Sequence, residues 1–294
     1  MSDLATGSAF RVPETLLWLN ETERGHAWLA GLPHLLESSR DRFRLDWIGD
    51  AFSGGNVSYV VPARRNGEEA VLKLQYPDRE CRFEADALRL WNGHGAIRLL
   101  EHAPDLNALL LERCTPGAFL ADDPLADHLG VVSDLLHQLL VPAGAPFTGL
   151  EDEARRWLTA LETNWLKAGK PCEQRLVDAA VTALSDLCAA ETDRVLLHQD
   201  LHGHNILSAE RADWLAIDPK PLAGDPAFAL SPIIRSPEFG HSRQAALYRL
   251  DRLSVELSLD RERARLWTIG QTMTWAFEGG GSKRHFETVR WLLG

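Results

Sequence analysis

The sequence contains no long hydrophobic run, and this absence excludes a helical membrane protein. None of its 294 residues lies in an apolar stretch close to the roughly 20 residues that span a bilayer. The N-terminal segment also lacks a basic stretch followed by a long apolar core, which is the pattern of a secretory signal. We therefore expect a cytoplasmic protein without a membrane partner.

Cysteine is scarce, and its spacing excludes two common kinds of small framework. The four cysteines are Cys81, Cys114, Cys172 and Cys188. They form no C-x-x-C pair, so neither a disulfide scaffold nor a zinc ribbon is indicated. We interpret them as thiols in a reducing compartment.

Positive charge is in deficit. The chain has 31 lysines and arginines against 42 acidic residues, which gives a formal charge of -11. Such a surface has no general affinity for nucleic acids or anionic lipids. It suits a cationic small molecule as ligand, and we expect a monomer that binds no nucleic acid.

Among the features that are present, the polar residues of 195–226 are the most informative. His198-x-Asp200 follows a short apolar run, Asn205 comes five residues after the aspartate, and Asp218 ends a second apolar run. The catalytic loop of protein kinases, H-R-D-L-x-x-x-N, has the same Asp-to-Asn spacing and a metal-binding aspartate one hairpin later. This spacing predicts phosphoryl transfer.

The spacing has a chemical reason. Asp200 would accept the proton of an attacking hydroxyl, while an amide oxygen and a second carboxylate hold Mg²⁺. We predict a strand at 195–197 and a hairpin formed by 206–207 and 214–217. Asn205 and Asp218 would then lie at neighbouring strand ends, within reach of one ion.

Two substitutions place the chain outside the eukaryotic protein kinases. Gln199 stands where they carry arginine, and Pro219-Lys220 follows the second aspartate instead of Phe-Gly. The segment resembles the aminoglycoside phosphotransferase branch of the same fold. Lys220 is a candidate catalytic residue that would stabilise charge on the γ-phosphate. The alternative is an ion-pair or surface lysine.

A glycine pair near the N-terminus is a candidate phosphate loop. Gly54 and Gly55 lie in 52–60 between two strand-like runs, with Ser58 close behind. Glycine lets the backbone close over a phosphate so that N–H groups face it. A simple hairpin turn is the alternative.

Lys73 interrupts the apolar strand 70–74, which follows the hairpin signal Asn66-Gly67. A lysine on a buried strand needs an anionic partner. Kinases place the lysine that holds the α- and β-phosphates one hairpin after the glycine loop. An edge-strand lysine that reaches solvent is the alternative.

The segment 78–92 is predicted to be helical and to provide the partner of Lys73. Glu80 and Glu84 lie one turn apart on it, and we favour Glu84. The alternative is a solvated acidic helix face.

The composition changes at Arg113–Gly117, which predicts two lobes. Residues 1–113 begin with a helical stretch at 14–42, which we expect Pro33 to break. A strand is predicted at 43–50, and the rest of this part is strand-rich. Residues 114–294 are mainly helical and contain the catalytic loop. We predict an α+β, two-lobed, protein-kinase-like fold. Backbone groups near Glu112 and Cys114 would hold the adenine.

Taken together, these motifs resemble the aminoglycoside/hydroxyurea antibiotic-resistance kinases over nearly the whole chain. The resemblance is strongest in His198–Leu207 and in Ile217-Asp218-Pro219-Lys220. It implies an O-phosphotransferase that uses ATP (or GTP) and Mg²⁺, with streptomycin as the leading acceptor. By the same resemblance, Asp200 is the base, Asn205 and Asp218 bind Mg²⁺, Lys73 steadies the phosphates, His198 supports the loop and Asp225 is structural.

The resemblance also shows where this chain departs from its relatives and where recognition is least defined. Many relatives have glycine at the position of Gln199. Candidates for acceptor recognition are Trp165, Trp275 and Glu278, since cationic acceptors favour aromatic and carboxylate partners.

Three other functions remain open. His198-x-Asp200-x-His202-x-His204 superficially resembles a zinc hydrolase cluster, although that function leaves Lys73 and Asp218 unexplained. A non-catalytic pseudokinase is the second. The third is a kinase of a non-drug metabolite such as an amino alcohol or sugar, because acceptor choice depends on the pocket and not on the fold.

Overall fold

The computed structural model describes residues 10–277 and 283–294. These residues form two compact units. The first contains residues 10–93 and Ile97–Cys114, and the second contains His94–Ala96 and the described residues from Thr115 onward.

Two helices open the first unit, a 3₁₀ helix at Glu14–Glu21 and α1 at Glu23–Phe43. The break predicted at Pro33 is wrong, because Pro33 lies inside α1. The chain turns at Thr22 instead, where the side chain accepts a hydrogen bond from the Gly25 amide and caps the new helix. Proline removes only one backbone hydrogen bond, and the buried apolar face of α1 offsets that loss.

Five antiparallel strands form the sheet of the first unit. They are β1 Trp47–Ile48, β2 Ser58–Arg65, β3 Glu68–Gln75, β4 Leu99–Ala103 and β5 Ala108–Glu112. Their order in the sheet is β1-β2-β3-β5-β4. The predicted hairpin at Asn66-Gly67 is confirmed, and both residues have positive φ, 53° and 81°. The strand predicted at 43–50 shrinks to β1 because α1 continues to Phe43.

Helix α2 spans Glu84–Trp91, so the predicted start at residue 78 is wrong. The Asp78 carboxylate accepts a hydrogen bond from the Glu80 amide at 2.7 Å. Such a local side-chain bond competes with helix formation. The helix therefore begins at Glu84, the residue whose position matters for Lys73.

Helices make up most of the second unit, as predicted. They are α3 His128–Leu139, α4 Leu150–Lys167, α5 Gln174–Ala189, α6 Ser231–Arg235, α7 Arg243–Glu256, α8 Arg261–Trp275 and α9 Lys283–Leu293. Helix α8 is buried along most of its length and packs against α4, α5, α6, α7 and α9. Its C-terminal end brings Gln271 and Trp275 to the catalytic loop.

Two small sheets position that loop. One contains β6 Pro116–Phe119, β9 Ile206–Ala209 and β10 Trp214–Ala216; the other contains β7 Thr148–Gly149, β8 Val195–Leu197 and β11 Leu222–Gly224. The predicted strand at 195–197 and the hairpin that follows it are confirmed, with Ala216 paired to Ile206. No helix in the described part of the chain is both long and apolar enough to cross a membrane.

Candidate active site

His198 holds the catalytic loop from behind. It follows β8, and its Nε2 lies 2.9 Å from the carbonyl oxygen of Ile217. Burial lowers the pKa of His198 to about 4, so the ring is neutral at pH 7. The bond ties the segment before Asp200 to the segment before Asp218, and a second bond from the Lys220 amide to the His198 carbonyl, 3.0 Å, closes the loop.

Two residues of this loop have a left-handed backbone. Gln199 has φ 66° and Asp218 has φ 56°, a region that glycine adopts freely and other residues at a cost of order 1–3 kcal/mol. A left-handed turn of this kind suits glycine, and Gln199 adopts it in this chain. Strain of this kind concentrates at functional sites, where the surrounding contacts fix the conformation.

Asp200 lies among three positively charged or titratable side chains. Its carboxylate oxygens are 3.1 Å from Lys220 Nζ, 3.4 Å from Arg235 Nη2 and 3.9 Å from His202 Nε2. Burial alone would raise the pKa of Asp200, but the charges of Lys220, His202 and Arg235 lower it to about 2. Asp200 is therefore a carboxylate at neutral pH, the form that can accept a proton.

Asn205 and Asp218 lie side by side, as the sequence predicts. Asn205 directly precedes β9, Asp218 follows β10, and the Ile217 amide donates to the Asn205 carbonyl at 2.9 Å. The side-chain nitrogen Nδ2 of Asn205 donates to the backbone carbonyl of Asp200 at 2.9 Å. The side-chain oxygen of Asn205 is then the atom that can serve as a ligand to a cation. An amide oxygen beside a carboxylate is the hard oxygen set that suits Mg²⁺.

Arg235 and Gln271 also belong to this site, and neither was predicted from sequence. The Arg235 guanidinium lies 3.9 Å above the Trp275 ring and donates to Gln271 Oε1 at 2.5 Å. Arg235 is almost fully buried. It thus reaches Asp200 as a fixed cation, held by an aromatic face and an amide.

The three acceptor candidates differ in their surroundings. Trp275 contacts the site, since Lys220 Nζ also lies 5.3 Å from its ring centroid. Trp165 is buried in α4, and its Nε1 donates to the Cys172 carbonyl, so it packs the helical core. Glu278 lies outside the described residues.

Asp225 is structural, as predicted. One carboxylate oxygen accepts from the Ala227 amide at 2.9 Å, and the other accepts from Trp267 Nε1 at 2.7 Å and lies 2.6 Å from Arg263 Nη2. These bonds anchor the chain after β11 to α8.

In the first unit, the predicted pairing of Lys73 with Glu84 is present. Lys73 Nζ lies 2.8 Å and 2.6 Å from the two carboxylate oxygens of Glu84, and both side chains are almost fully buried. Gln75 Nε2 adds a bond of 2.6 Å to Glu84. These contacts come from Glu84, the residue that we favour over Glu80. Glu84, the first residue of α2, thus holds the side chain of Lys73 on β3 in place.

The candidate phosphate loop is anchored by the N-terminal 3₁₀ helix. Thr15 Oγ1 donates to the Gly55 carbonyl at 2.7 Å, and Trp18 Nε1 donates to the Asn56 carbonyl at 2.9 Å. These two bonds tie the loop to the 3₁₀ helix. Sequence reasoning missed Thr15 and Trp18. Ser58 begins β2 and is buried.

The two glycines of this loop have different neighbours, which yields a prediction. A Cβ at position 55 would lie 2.3 Å from the Ser58 carbonyl oxygen, whereas one at position 54 meets nothing within 4 Å. Gly55→Ala is therefore expected to destabilise the protein by about 1–3 kcal/mol, the usual cost of overpacking. Thermal unfolding measures this, with Gly54→Ala as the matched control. Equal melting temperatures for the two variants would contradict it.

Glu112 and Cys114 lie at the end of the first unit. Glu112 accepts a side-chain bond from the Arg98 amide at 2.8 Å and donates its own amide to the Arg98 carbonyl at 2.9 Å. Cys114 is buried. Their adenine-binding role stays a prediction.

The zinc hydrolase arrangement is not assembled. His198 Nε2 contacts the Ile217 carbonyl oxygen, and His198 is not a member of the metal-capable group found among the described residues. Within residues 10–277 and 283–294, the group of three His, Cys, Asp or Glu side chains with converging ligand atoms is instead His202, His204 and Glu238.

The folds and side chains described above define a class of protein. The first unit is strand-rich and contains a buried ion pair between a strand lysine and a helix glutamate. The second unit is helical and carries a loop with a His-x-Asp motif, an asparagine and a second aspartate. These are the components of a kinase-like phosphotransferase. The sequence-family model of the aminoglycoside/hydroxyurea antibiotic resistance kinases matches residues 49–280 of this chain. The chain belongs to this family, and it is an ATP-dependent phosphotransferase with an alcohol group as acceptor.

Individual relatives agree with this assignment. The chain is 41% identical over 273 residues to streptomycin 6-kinase of Streptomyces glaucescens, covering 88% of each chain. It is 39% identical to hydroxyurea phosphotransferase of Kitasatospora aureofaciens, covering 87% of this chain and 76% of the relative. The structure of choline kinase LicA of Streptococcus pneumoniae superposes with a TM-score of 0.63 at 13% identity. The superposition covers 88% of this chain and 99% of the choline kinase. The predicted α+β kinase-like fold is confirmed.

Proposed function

We propose that this protein transfers the γ-phosphate of ATP to a hydroxyl of streptomycin. The observation that supports it best is Asp200, a carboxylate held by Lys220 and Arg235, whose backbone carbonyl accepts a hydrogen bond from the Asn205 side chain. The similarity to a streptomycin 6-kinase over most of both chains supports the acceptor. GTP is the alternative nucleotide.

The residues divide the chemistry between them. Asp200 accepts the proton of the acceptor hydroxyl as its oxygen attacks phosphorus. Asn205 and Asp218 would hold Mg²⁺, and the ion would supply charge neutralisation at the phosphate oxygens. In the first unit, Lys73 steadies the α- and β-phosphates, and the backbone around Gly54, Gly55 and Ser58 faces phosphate oxygens.

The charges near Asp200 restrict how a cationic acceptor binds. Lys220 and Arg235 already pair with this carboxylate, so the guanidinium groups of streptomycin must bind elsewhere. The formal charge of -11 leaves many carboxylates for that purpose. Only a neutral hydroxyl approaches the base, which favours transfer to oxygen.

A second acceptor is favoured by one specific observation. The chain is 39% identical to a hydroxyurea phosphotransferase, and hydroxyurea is a small uncharged hydroxyl compound. A third possibility, a non-drug metabolite with a hydroxyl group, shares the same chemistry.

Turnover by the purified protein separates these acceptors. ADP release from Mg-ATP is measured with streptomycin, with hydroxyurea and with neither, and the product is identified by its mass. We expect streptomycin-dependent release with one added phosphoryl group. Release that responds only to hydroxyurea, or to neither compound, would reject streptomycin while retaining the kinase.

Lys220 provides a prediction for the transfer step. Its ammonium lies 3.1 Å from Asp200, close enough to serve both the base and a nearby γ-phosphate. Lys220→Ala is expected to lower kcat at saturating ATP by about 10²-fold or more, as for other groups that stabilise charge in the transition state. Steady-state kinetics test this. An unchanged kcat would reduce Lys220 to a structural ion-pair lysine.

A further inference from the structure

Two histidines of the catalytic loop and one glutamate form a cluster to which the proposed reaction assigns no bond-making step. His202 and His204 flank Gly203 in the loop, and Glu238 lies in the segment between α6 and α7. Their potential ligand atoms all lie within 4.8 Å of one another. The family chemistry described above uses oxygen ligands at Asn205 and Asp218, so this nitrogen-rich cluster requires a separate explanation.

The distances in the cluster match a tetrahedral metal site. Glu238 Oε1 lies 3.2 Å from His202 Nδ1 and 3.3 Å from His204 Nδ1. Zinc binds nitrogen and oxygen at about 2.0–2.2 Å with tetrahedral geometry, so its ligands are separated by roughly 3.4 Å. The His204 side chain is 51% exposed, which gives an ion a route from solvent and leaves the ring room to adjust.

One carboxylate oxygen is shared by three nitrogen atoms. Besides the two ring nitrogens, the backbone amide of His204 lies 3.3 Å from the same Glu238 Oε1. The His204 amide also lies 3.3 Å from His202 Nδ1, so that ring nitrogen faces the centre of the cluster. Ring nitrogens and a carboxylate oxygen that converge in this way form a ligand set typical of Zn²⁺ and unlike the all-oxygen set of Mg²⁺.

The surrounding structure fixes the two segments that provide these ligands. A Cβ at Gly203 would lie 2.8 Å from the Phe239 ring, so only glycine lets the histidine segment pack this closely against the residue after Glu238. Arg249 then donates to the carbonyl oxygens of Ile234, Phe239 and Gly240, each at 2.8 Å. The ligands are thus held in place before any ion binds, which favours affinity.

We propose that His202, His204 and Glu238 form an inhibitory binding site for a borderline divalent metal ion, with Zn²⁺ as its occupant. The protein supplies three ligands, and water completes the fourth position. The site is distinct in chemistry and position from the magnesium site. Its inhibitory effect rests on the proposed role of Asp200, whereas metal binding does not.

The inhibition follows from the position of His202. Its Nε2 lies 3.9 Å from Asp200 Oδ1, on the opposite side of the ring from the metal-binding Nδ1. A bound dication polarises the imidazole and strengthens the positive field at Asp200. The carboxylate then becomes a weaker acceptor for the hydroxyl proton, and transfer slows.

The first test measures metal binding without nucleotide or acceptor. Titration of the untagged protein with Zn²⁺ by calorimetry should show one site, and Co²⁺ substitution should give a tetrahedral visible spectrum without a thiolate charge-transfer band. Glu238→Gln and His204→Gln should each weaken binding by more than about 100-fold, since even outer-shell partners contribute about 10–100-fold. His137→Gln, which changes an exposed histidine of α3, should bind as the wild type does.

The second test measures the ratio of the transfer rates with and without Zn²⁺ in each variant. The ratio should fall in the wild type and in His137→Gln, and stay near one in Glu238→Gln and His204→Gln. Equal binding by all four proteins, a thiolate band or no binding at all would overturn the site. Equal inhibition of all four would overturn the inhibitory role. Circular dichroism confirms that each variant is folded, and failure of the kinase assay leaves the binding test intact.

Discussion

Asp200→Asn is expected to lower kcat by about 10²–10⁴-fold, the usual contribution of a positioned general base. Asparagine has the same shape and can still accept a hydrogen bond from Lys220 or Arg235. It cannot take the proton of the acceptor hydroxyl. The affinity for Mg-ATP should change little, because Asp200 is assigned to the acceptor and not to the phosphates. Measuring kcat together with the nucleotide dissociation constant separates the two effects.

The control for this substitution lies in the hairpin that follows the catalytic loop. Asp213 is exposed in the turn between β9 and β10, so Asp213→Asn makes the same chemical change away from the cationic side chains. Its kcat should equal that of the wild type. Equal activity in Asp200→Asn and Asp213→Asn would show that another group accepts the proton, and the assignment of the loop would then fail.

The catalytic loop was predictable from sequence because its determinants are local. A short apolar run before the polar loop predicts strand β8. Two further apolar runs, with turn residues between them, predict the β9–β10 hairpin. The pairing of Ala216 with Ile206 then places Asn205 beside Asp218. The Lys73 partner was also predictable, since a buried lysine on a strand requires an anion and the resemblance to the kinase family favoured Glu84 over Glu80.

The rest of the site depends on tertiary packing, which leaves no local pattern. Arg235 lies 35 residues after Asp200, and Gln271 lies 36 residues after Arg235, with nothing in their neighbouring residues to mark them. Glu238 likewise meets the histidines of the loop only through folding. The error at Pro33 has a related cause, because a buried helix face tolerates a proline that composition alone reads as a break.

Glu84→Leu is expected to destabilise the protein by about 3–5 kcal/mol, because it leaves the ammonium of Lys73 buried without its anion. Lys73 and Glu84 have side-chain exposures of only 5% and 1%, so water cannot replace the lost partner. Gln75 also loses an acceptor. Chemical unfolding monitored by tryptophan fluorescence gives the free energy. Asp105→Leu, which breaks an exposed pair with Arg42 in the same unit, should cause a much smaller loss.

The double variant Lys73→Met, Glu84→Leu separates the structural role of the pair from its proposed nucleotide role. Apolar side chains of similar volume can replace a buried ion pair at little cost or with a gain in stability. Most of the stability lost in Glu84→Leu should therefore return, apart from the part due to Gln75. Nucleotide affinity should not return, because no positive charge remains on β3 for the phosphates. If the double variant bound ATP as tightly as the wild type, Lys73 would be a structural residue only. If its stability stayed as low as that of Glu84→Leu, the cost would lie in packing and not in an unpaired charge.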